Sequence, residues 1–141
     1  MILRNAGREQ FRHFMTIPTR WIDNDQYGHV NNVVYYSYFD TAVNQFLIEE
    51  GVLDIHNDQL VGYVVDSACA YFSQLSFPDL LHVGLRVSKL GNSSVRYEIG
   101  IYRNDEPVPA AAGHFVHVYV DRATNKPVTI PDNVRAVLAK L

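Results

Sequence analysis

The chain has 141 residues, of which 48% are hydrophobic and 19% are charged. This is the size and composition of one soluble domain, and the chain is too short for two ordinary ones. Its 12 lysines and arginines stand against 15 aspartates and glutamates, so it lacks the basic excess of nucleic-acid-binding proteins. The sequence therefore predicts a single domain over residues 1–141 and no nucleic-acid partner.

Cysteine usage and hydropathy bear on the compartment. Cys69 is the only cysteine, so the chain can form no internal disulfide and has no zinc-binding cysteine pattern. Residues 1–14 mix charged and apolar side chains, and no apolar run approaches the ~20 residues that a membrane span needs. We therefore expect a cytoplasmic protein without a targeting segment and without a membrane partner.

A strand and a long helix are predicted first. Apolar residues alternate with other residues before Pro18, at Phe11, His13, Met15 and Ile17. A pattern with the helical period follows from Asn32 to Glu50, with one apolar face. That face consists of Tyr35, Phe39, Ala42, Val43, Phe46 and Leu47. We expect Asn31 or Asn32 to cap the start of this helix and Gly51 to end it.

The rest of the chain has mainly the period of a strand. The predicted strands are Leu60 to Leu75, Val83 to Ser88, Val95 to Ile101 and His114 to Val120. The second and third flank the turn Gly91-Asn92-Ser93 and predict a hairpin. A short helix from Pro131 to Lys140 closes the chain. The order β-α-β-β-β-β favours an α+β fold in which one helix covers one face of a five-stranded antiparallel sheet.

The densest polar segment, residues 20–32, lies between the first strand and the long helix. Unpaired N–H groups and the positive end of the dipole at a helix start can polarise a carbonyl oxygen or hold an oxyanion. A carboxylate a few residues upstream would face the same space, and Gly28 would let a ligand approach the backbone. Aspartate, asparagine and glycine before a helix are also ordinary turn and cap residues, so spacing alone leaves both interpretations open.

Residues 23–32 read DNDQYGHVNN and are followed by Tyr35. This segment resembles the D-x-D-x-x-G-H-V-N-N-x-x-Y signature of hotdog-fold acyl-CoA thioesterases, the 4-hydroxybenzoyl-CoA thioesterase-like group. The resemblance continues through Gly51, the turn at residues 90–94 and the ending at residues 127–131, and so covers nearly the whole chain. It implies a hotdog fold, a five-stranded antiparallel sheet wrapped around one long helix, and hydrolysis of acyl-CoA to a carboxylic acid and free CoA.

The same resemblance implies roles for individual residues. The catalytic carboxylate falls on Asp25, and the backbone amide that polarises the carbonyl falls on Asn32. Asp25 could attack the thioester carbonyl to give a mixed anhydride or act as general base on a water, and the sequence leaves both routes open. Asp23 is expected to be a structural loop residue. Gly28 and His29 are expected to contact the substrate, although His29 could instead pack at the helix entry.

A second contact region for the CoA arm is expected at Asn92, Ser93 and Ser94. Backbone amides and small side chains of such a turn can bind amide or phosphate oxygens, with Lys89 and Arg96 nearby. Some relatives carry a basic cluster at this turn, which this chain lacks, and a plain hairpin turn is the alternative interpretation. CoA is part of the substrate, so no separate cofactor is expected.

Other site types are weaker matches. His114 and His117 are not expected to share a metal, because residues three apart in a strand point to opposite faces. A hotdog hydratase or dehydratase would pair an acidic residue with a histidine, but neither Asp23 nor Asp25 has the D-x4-H spacing to His29. A non-catalytic module that binds acyl thioesters is the third possibility, because a fold alone does not confer activity.

The resemblance also implies self-association. In the family, two sheets join edge to edge and the acyl pocket lies between protomers, so we expect acyl-CoA as the small-molecule partner and a homodimer or a dimer-of-dimers tetramer. An isolated five-stranded sheet has exposed edges that association would cover. The nine tyrosines would suit such a buried surface.

Overall fold

The computed structural model describes residues 3–141, so Met1 and Ile2 of the predicted domain lie outside the described residues. The elements in chain order are β1 (His13–Pro18), α1 (Val34–Glu49), β2 (Leu60–Tyr71), β3 (Leu80–Leu90), β4 (Ser94–Arg103), β5 (Ala111–Asp121) and α2 (Asp132–Leu138). The strands form one antiparallel sheet in the order β1-β3-β4-β5-β2. With α1 packed against one face of this sheet, the architecture is the hotdog fold that the sequence predicted.

The predicted apolar face of α1 is confirmed. Its buried residues are Tyr35, Tyr38, Phe39, Ala42, Val43, Phe46 and Leu47. The facing side chains of β4 are at most 1% exposed, and they are Val95, Tyr97, Ile99 and Ile101. Each large apolar side chain buried in this way stabilises the fold by about 1.5–3 kcal/mol. This helix-to-sheet packing is the main core.

The start of α1 differs from the prediction. The helix begins at Val34 rather than Asn32, and its N-cap is Val33, which has no side-chain cap. The Asn31 side chain instead accepts a hydrogen bond from the Val33 N–H at 3.2 Å. Because asparagine readily bonds the backbone two residues on, a turn forms here before the helix begins. The predicted end is confirmed, since Gly51 follows the helix with a φ of 75°.

Two predicted strands extend beyond the observed ones, whereas β3 and β5 each begin three residues before the predicted start. β1 begins at His13, because Phe11 packs on the face of the sheet away from α1, which we call the outer face. β2 ends at Tyr71 rather than Leu75. Beyond it the N–H groups of Phe72 and Ser73 both donate to the Ala110 carbonyl, at 2.8 and 3.0 Å, so the regular ladder stops. The predicted hairpin of β3 and β4 is confirmed.

The N-terminal segment covers part of the outer face, which the sequence did not predict. A second buried cluster there consists of Leu3, Ala6, Phe11, Tyr102 and Ala112. The Phe11 ring lies directly over Gly84 and Gly100. A Cβ atom at Gly84 would lie 2.8 Å from this ring, and one at Gly100 would lie 2.9 Å away. Glycine is therefore required at both positions for Phe11 to pack this closely.

β2 is an edge strand of the sheet and none of its residues is buried. Apolar side chains such as Tyr63 and Val65 are exposed, at 45% and 61%. An exposed edge offers backbone hydrogen-bonding groups to another strand. Among residues 3–141, none of the helices combines the length and the apolar character that crossing a bilayer requires.

Candidate active site

A cleft of about 500 Å³ opens where the entry to α1 meets the end of β2. Its lining residues are Asp25, Tyr27, His29, Val30, Asn32, Tyr35, Tyr71, Phe72, Ser73 and Gln74. Asp25, Asn32 and His29, three of the residues singled out from the sequence, therefore share one cavity. Gly28 lies in the turn that carries Asp25 and His29.

A tight turn presents Asp25 to the cleft. The Asp25 N–H donates to the His29 carbonyl at 2.9 Å, and the Gly28 N–H donates to the Asp25 carbonyl at 3.1 Å. Gly28 has a φ of 81°, a conformation that disfavours residues with a Cβ atom. The Asp25 Oδ1 accepts the Tyr27 N–H at 2.9 Å, whereas Oδ2 accepts no hydrogen bond from residues 3–141. One carboxylate oxygen is thus free for a substrate or a water.

Asp23 fixes the loop through hydrogen bonds and is only 1% exposed. Its carboxylate accepts the Arg20 backbone N–H at 2.9 Å, the Arg20 guanidinium at 2.8 and 3.0 Å, and the Tyr38 hydroxyl at 2.8 Å. Burial alone would raise the pKa of Asp23, but the hydrogen bonds from Arg20 and Tyr38 outweigh it and lower the pKa below the usual value. Asp23 also accepts the Asn31 N–H at its carbonyl, at 2.9 Å. Its contacts are those of a structural residue.

The entry of α1 leaves an N–H group free beside Asp25. In the part of the chain that the structure describes, the Asn32 N–H donates to no acceptor, while the Asn32 carbonyl accepts the Tyr71 hydroxyl at 3.1 Å. This N–H lies at the positive end of the helix dipole, where a carbonyl oxygen or an anion is stabilised. The neighbouring Val30 is fixed by its N–H, which donates to the Leu75 carbonyl at 2.7 Å.

Sequence reasoning missed Tyr71 as a residue of this site. Its ring packs edge to face against Tyr35, with 4.8 Å between the ring centroids and an interplanar angle of 83°. Tyr71 lies 39 residues from Asn32 in the chain, so no local spacing indicates their contact. The only signal in the sequence was the abundance of tyrosine, with nine copies.

The turn Asn92-Ser93-Ser94 lies at the opposite end of the sheet from the cleft. β3 has 11 residues between the two ends, so at about 3.3 Å per residue they are separated by roughly 30 Å. The Arg135 guanidinium donates to the carbonyls of Gly91 and Asn92, at 2.7 and 3.1 Å, and holds the turn against the C-terminal segment. One chain therefore does not bring this turn to Asp25.

His114 and His117 point to opposite faces of β5. On the outer face, His114 Nε2 lies 2.9 Å from Asp66 Oδ2. On the face toward α1, His117 is 3% exposed and packs against the Tyr97 ring. Burial lowers the pKa of His117 to about 4, and its Nε2 has no hydrogen-bond partner within residues 3–141. Burial likewise raises the pKa of the Cys69 thiol to about 11, which keeps it protonated and unreactive.

Comparison with known proteins gives the family. Residues 18–138 match the model of the thioesterase-like superfamily. The crystal structure of the PA5185 protein from Pseudomonas aeruginosa is 52% identical, covers 97% of this chain and 96% of its own, and has a TM-score of 0.95. The PA2801 protein from the same species, described as a candidate thioesterase, is 32% identical, with coverages of 92% and 99% and a TM-score of 0.85.

A curated relative carries the thioesterase name as well. The chloroplastic acyl-acyl carrier protein thioesterase ATL3 of Arabidopsis thaliana is 26% identical over 134 residues, which are 92% of this chain and 68% of that protein. The match to the superfamily model spans most of the chain, including the loop with Asp25 and all of α1. This chain therefore belongs to the thioesterase-like superfamily and is a hotdog-fold thioester hydrolase.

Proposed function

We propose that this protein hydrolyses acyl-CoA thioesters to a carboxylic acid and free CoA, with Asp25 as the catalytic carboxylate and the Asn32 N–H as the group that polarises the carbonyl. One observation carries the proposal: a carboxylate oxygen and a helix-entry N–H, neither of them hydrogen-bonded within residues 3–141, line the same cleft. This pairing supplies both an attacking or proton-accepting group and a site for developing negative charge.

The chemistry follows from these two groups. The thioester carbonyl oxygen accepts the Asn32 N–H, and the positive end of α1 stabilises the negative charge that develops on it. Asp25 either attacks the carbonyl carbon, giving a mixed anhydride that water then cleaves, or takes a proton from the water that attacks. In both routes the carbon–sulfur bond breaks and CoA leaves as its thiolate. A thiolate is a good leaving group, so no strong general acid is needed.

His29 and Gly28 are proposed as substrate contacts. The half-buried His29 side chain lines the cleft beside Asp25. The space beside Gly28 is open, since a Cβ atom built there would meet no atom within 4 Å. A ligand can therefore approach the backbone at this point.

The predicted CoA contacts at the turn Asn92-Ser93-Ser94 require a second copy of the chain. If two copies pair antiparallel through the exposed edge of β2, the two-fold axis places the turn of one copy beside the cleft of the other. Lys89 and Arg96, at least partly exposed, would then lie on the side where the CoA phosphates emerge. We propose a homodimer as the functional unit, with a tetramer of two dimers as the higher state, acting in the cytoplasm.

The test is a hydrolysis assay over a panel of acyl-CoA esters with the parent protein and the Asp25→Asn variant. Asparagine keeps the shape of the side chain but is neither a base nor a nucleophile, so kcat/KM is expected to fall by roughly 10²- to 10⁴-fold. Asp105→Asn, an exposed aspartate in the β4–β5 turn, is the matched control and should leave kcat/KM unchanged.

If no ester is cleaved faster by the parent than by Asp25→Asn, the proposal is wrong. If the protein binds acyl-CoA tightly but shows no hydrolysis that depends on Asp25, it is instead a non-catalytic binding module.

A further inference from the structure

The N-terminal segment, residues 3–11, packs against the segment that follows β2, residues 72–77, which we call the back segment. We propose that the N-terminal segment positions the loop with Asp25 through the back segment, and that Arg4 is a positioning residue that acts through Phe72. The inference rests on the proposed thioester hydrolysis and assigns a role in it to residues that do not line the cleft.

The N-terminal segment is fixed on the outer face of the sheet. The buried Tyr102 hydroxyl donates to the Ala6 carbonyl at 2.9 Å. The Arg8 guanidinium donates to the Glu106 carbonyl at 2.8 and 3.0 Å and lies over the Tyr102 ring, 5.0 Å from its centroid. Leu3 and Ala6 are only 2% and 1% exposed. A segment packed in this way presents a firm surface to its neighbours.

The N-terminal segment meets the back segment at Phe72. The Phe72 side chain packs against the buried cluster that contains Leu3. The Arg4 guanidinium lies over the Phe72 ring, 4.8 Å from its centroid, which is the geometry of a cation–π contact. Phe72 also lines the cleft, and its N–H donates to the Ala110 carbonyl at 2.8 Å. Phe72 therefore joins the N-terminal segment to the cleft.

The back segment in turn holds the loop with Asp25 at two points. The Val30 N–H donates to the Leu75 carbonyl at 2.7 Å, and the Phe77 N–H donates to Asn24 Oδ1 at 3.0 Å. Asn24 and Val30 lie on either side of Asp25 in the chain and pair with each other in an isolated β-bridge. The position of Asp25 therefore depends on that of the back segment. A misplacement of about 1 Å in such a loop can cost on the order of 10²-fold in rate.

The test measures kcat and KM of Arg4→Ala with an acyl-CoA ester whose hydrolysis by the parent depends on Asp25. We expect kcat to fall by roughly two- to fivefold, the factor that one cation–π contact at an exposed site supplies. KM should stay within about twofold of the parent value, because the loss falls on the placement of Asp25 and the Asn32 N–H in the transition state. Arg12→Ala removes the same charge from another exposed arginine and is the matched control, which should keep both parent values.

A double-mutant cycle with Phe72→Leu shows whether Arg4 acts through the ring. Leucine keeps an apolar side chain but has no aromatic face, so Arg4→Ala should change kcat little further in the Phe72→Leu background. A direct contact between Arg4 and the substrate would instead cost the same factor in both backgrounds. Arg4→Lys keeps a cation for the ring and should retain about half or more of the parent kcat.

Trp21 provides a readout that does not depend on hydrolysis. It is the only tryptophan of the chain, and its ring lies edge to face against Phe77 of the back segment, with 5.9 Å between the centroids. Loss of the Arg4 contact should leave the back segment more mobile. The fast component of the Trp21 fluorescence anisotropy decay should therefore gain amplitude in Arg4→Ala but not in Arg12→Ala. Thermal unfolding verifies that all variants are folded at the assay temperature.

Two results would overturn the inference while leaving the proposed function intact. The first is a kcat of Arg4→Ala equal to that of Arg12→Ala, and the second is an equal cost of Arg4→Ala in the parent and in Phe72→Leu. If no ester is hydrolysed in a manner that depends on Asp25, the proposed function is wrong instead. The Trp21 measurement then decides the inference alone, and equal anisotropy decays in Arg4→Ala and the parent would contradict it.

Discussion

At the end of the sheet that carries Asp25, hydrogen bonds converge on one buried carboxylate, whereas at the end that carries Asn92 they converge on the carbonyl groups of a turn. We call these the cleft end and the turn end. At the cleft end, Arg20 and Tyr38 satisfy Asp23, and the groups left free are a carboxylate oxygen and an N–H. At the turn end, Arg135 occupies the carbonyls and the cationic side chains nearby remain partly exposed.

The two ends therefore suit different parts of the proposed substrate. The cleft end holds the groups that act on a thioester carbonyl, and the turn end holds those that suit amide and phosphate oxygens. Roughly 30 Å of sheet separates them in one chain, by the rise of about 3.3 Å per strand residue. A complete acyl-CoA site from these two ends therefore needs two chains.

Removing the buried carboxylate of the cleft end should have the largest effect. Asp23→Asn loses the ionic hydrogen bonds to Arg20 and weakens the one from the buried Tyr38 hydroxyl. We expect the free energy of unfolding to fall by about 2 to 3 kcal/mol, measured by urea denaturation at pH 7. Asp105→Asn, at an exposed position, should change it by less than about 0.5 kcal/mol. An equally small change for Asp23→Asn would contradict the anchoring role.

The turn end has a buried basic group, the imidazole of His117, whereas the cleft end has the buried carboxylate of Asp23. Its folded pKa of about 4 lies below the ordinary value near 6.5, so the unfolded chain binds the proton more tightly. Protonation of His117 therefore leaves the free energy of unfolding unaffected above about pH 6.5 and lowers it progressively as the pH falls toward 4. Between pH 7 and pH 5 the loss amounts to about 2 kcal/mol from this group alone.

Urea denaturation of the parent and His117→Leu at both pH values measures this contribution. The variant should lose about 2 kcal/mol less than the parent between pH 7 and pH 5, while the exposed His56→Gln should behave like the parent. Equal pH dependence in the parent and His117→Leu would show that this imidazole does not destabilise the fold at low pH.

A mixing experiment compares the two ends directly. Lys89→Glu combined with Arg96→Glu should raise KM for acyl-CoA by roughly tenfold through charge repulsion at the turn end. When this variant is co-expressed with Asp25→Asn, half of the dimers are mixed. If each site uses Asp25 of one chain and the turn of the other, half of the sites in mixed dimers are intact.

At low substrate concentration such a preparation should show about a quarter of the parent activity. Sites built within single chains would give only about a twentieth, so this fivefold difference decides whether the two ends meet across copies. The two variants assayed separately provide the control values.

Much of this structure could be predicted from local patterns. The stripe from Tyr35 to Leu47 follows the helical period, and β3 and β4 flank a recognisable turn, so their pairing was predictable. The helix start could not be predicted, because an asparagine can either cap a helix or form a turn before it. Here Asn31 accepts the Val33 N–H in such a turn, and the helix begins at Val34. Asp25 and Asn32 were singled out by the family resemblance rather than by spacing, and both line the cleft at the helix entry.

Contacts between residues distant in the chain were not predictable in this way. Tyr71 meets Asn32, and Phe11 meets Gly84, only because the sheet order brings β2 beside β5 and β1 beside β3. The burial of His117 follows from its place under α1, on a strand whose alternate residues face the core. Such pairings depend on the global topology, which one-dimensional periodicity does not contain.

The contact of Phe11 with the two glycines has a consequence for how related sequences vary. A side chain at position 84 or 100 would occupy the space of the Phe11 ring, so either glycine can be replaced only if residue 11 becomes smaller or the N-terminal segment leaves the sheet. The three positions should therefore change together across relatives. Where they do change, the loss of the ring would uncover Tyr102 and give that relative a different outer surface for contacts with other molecules.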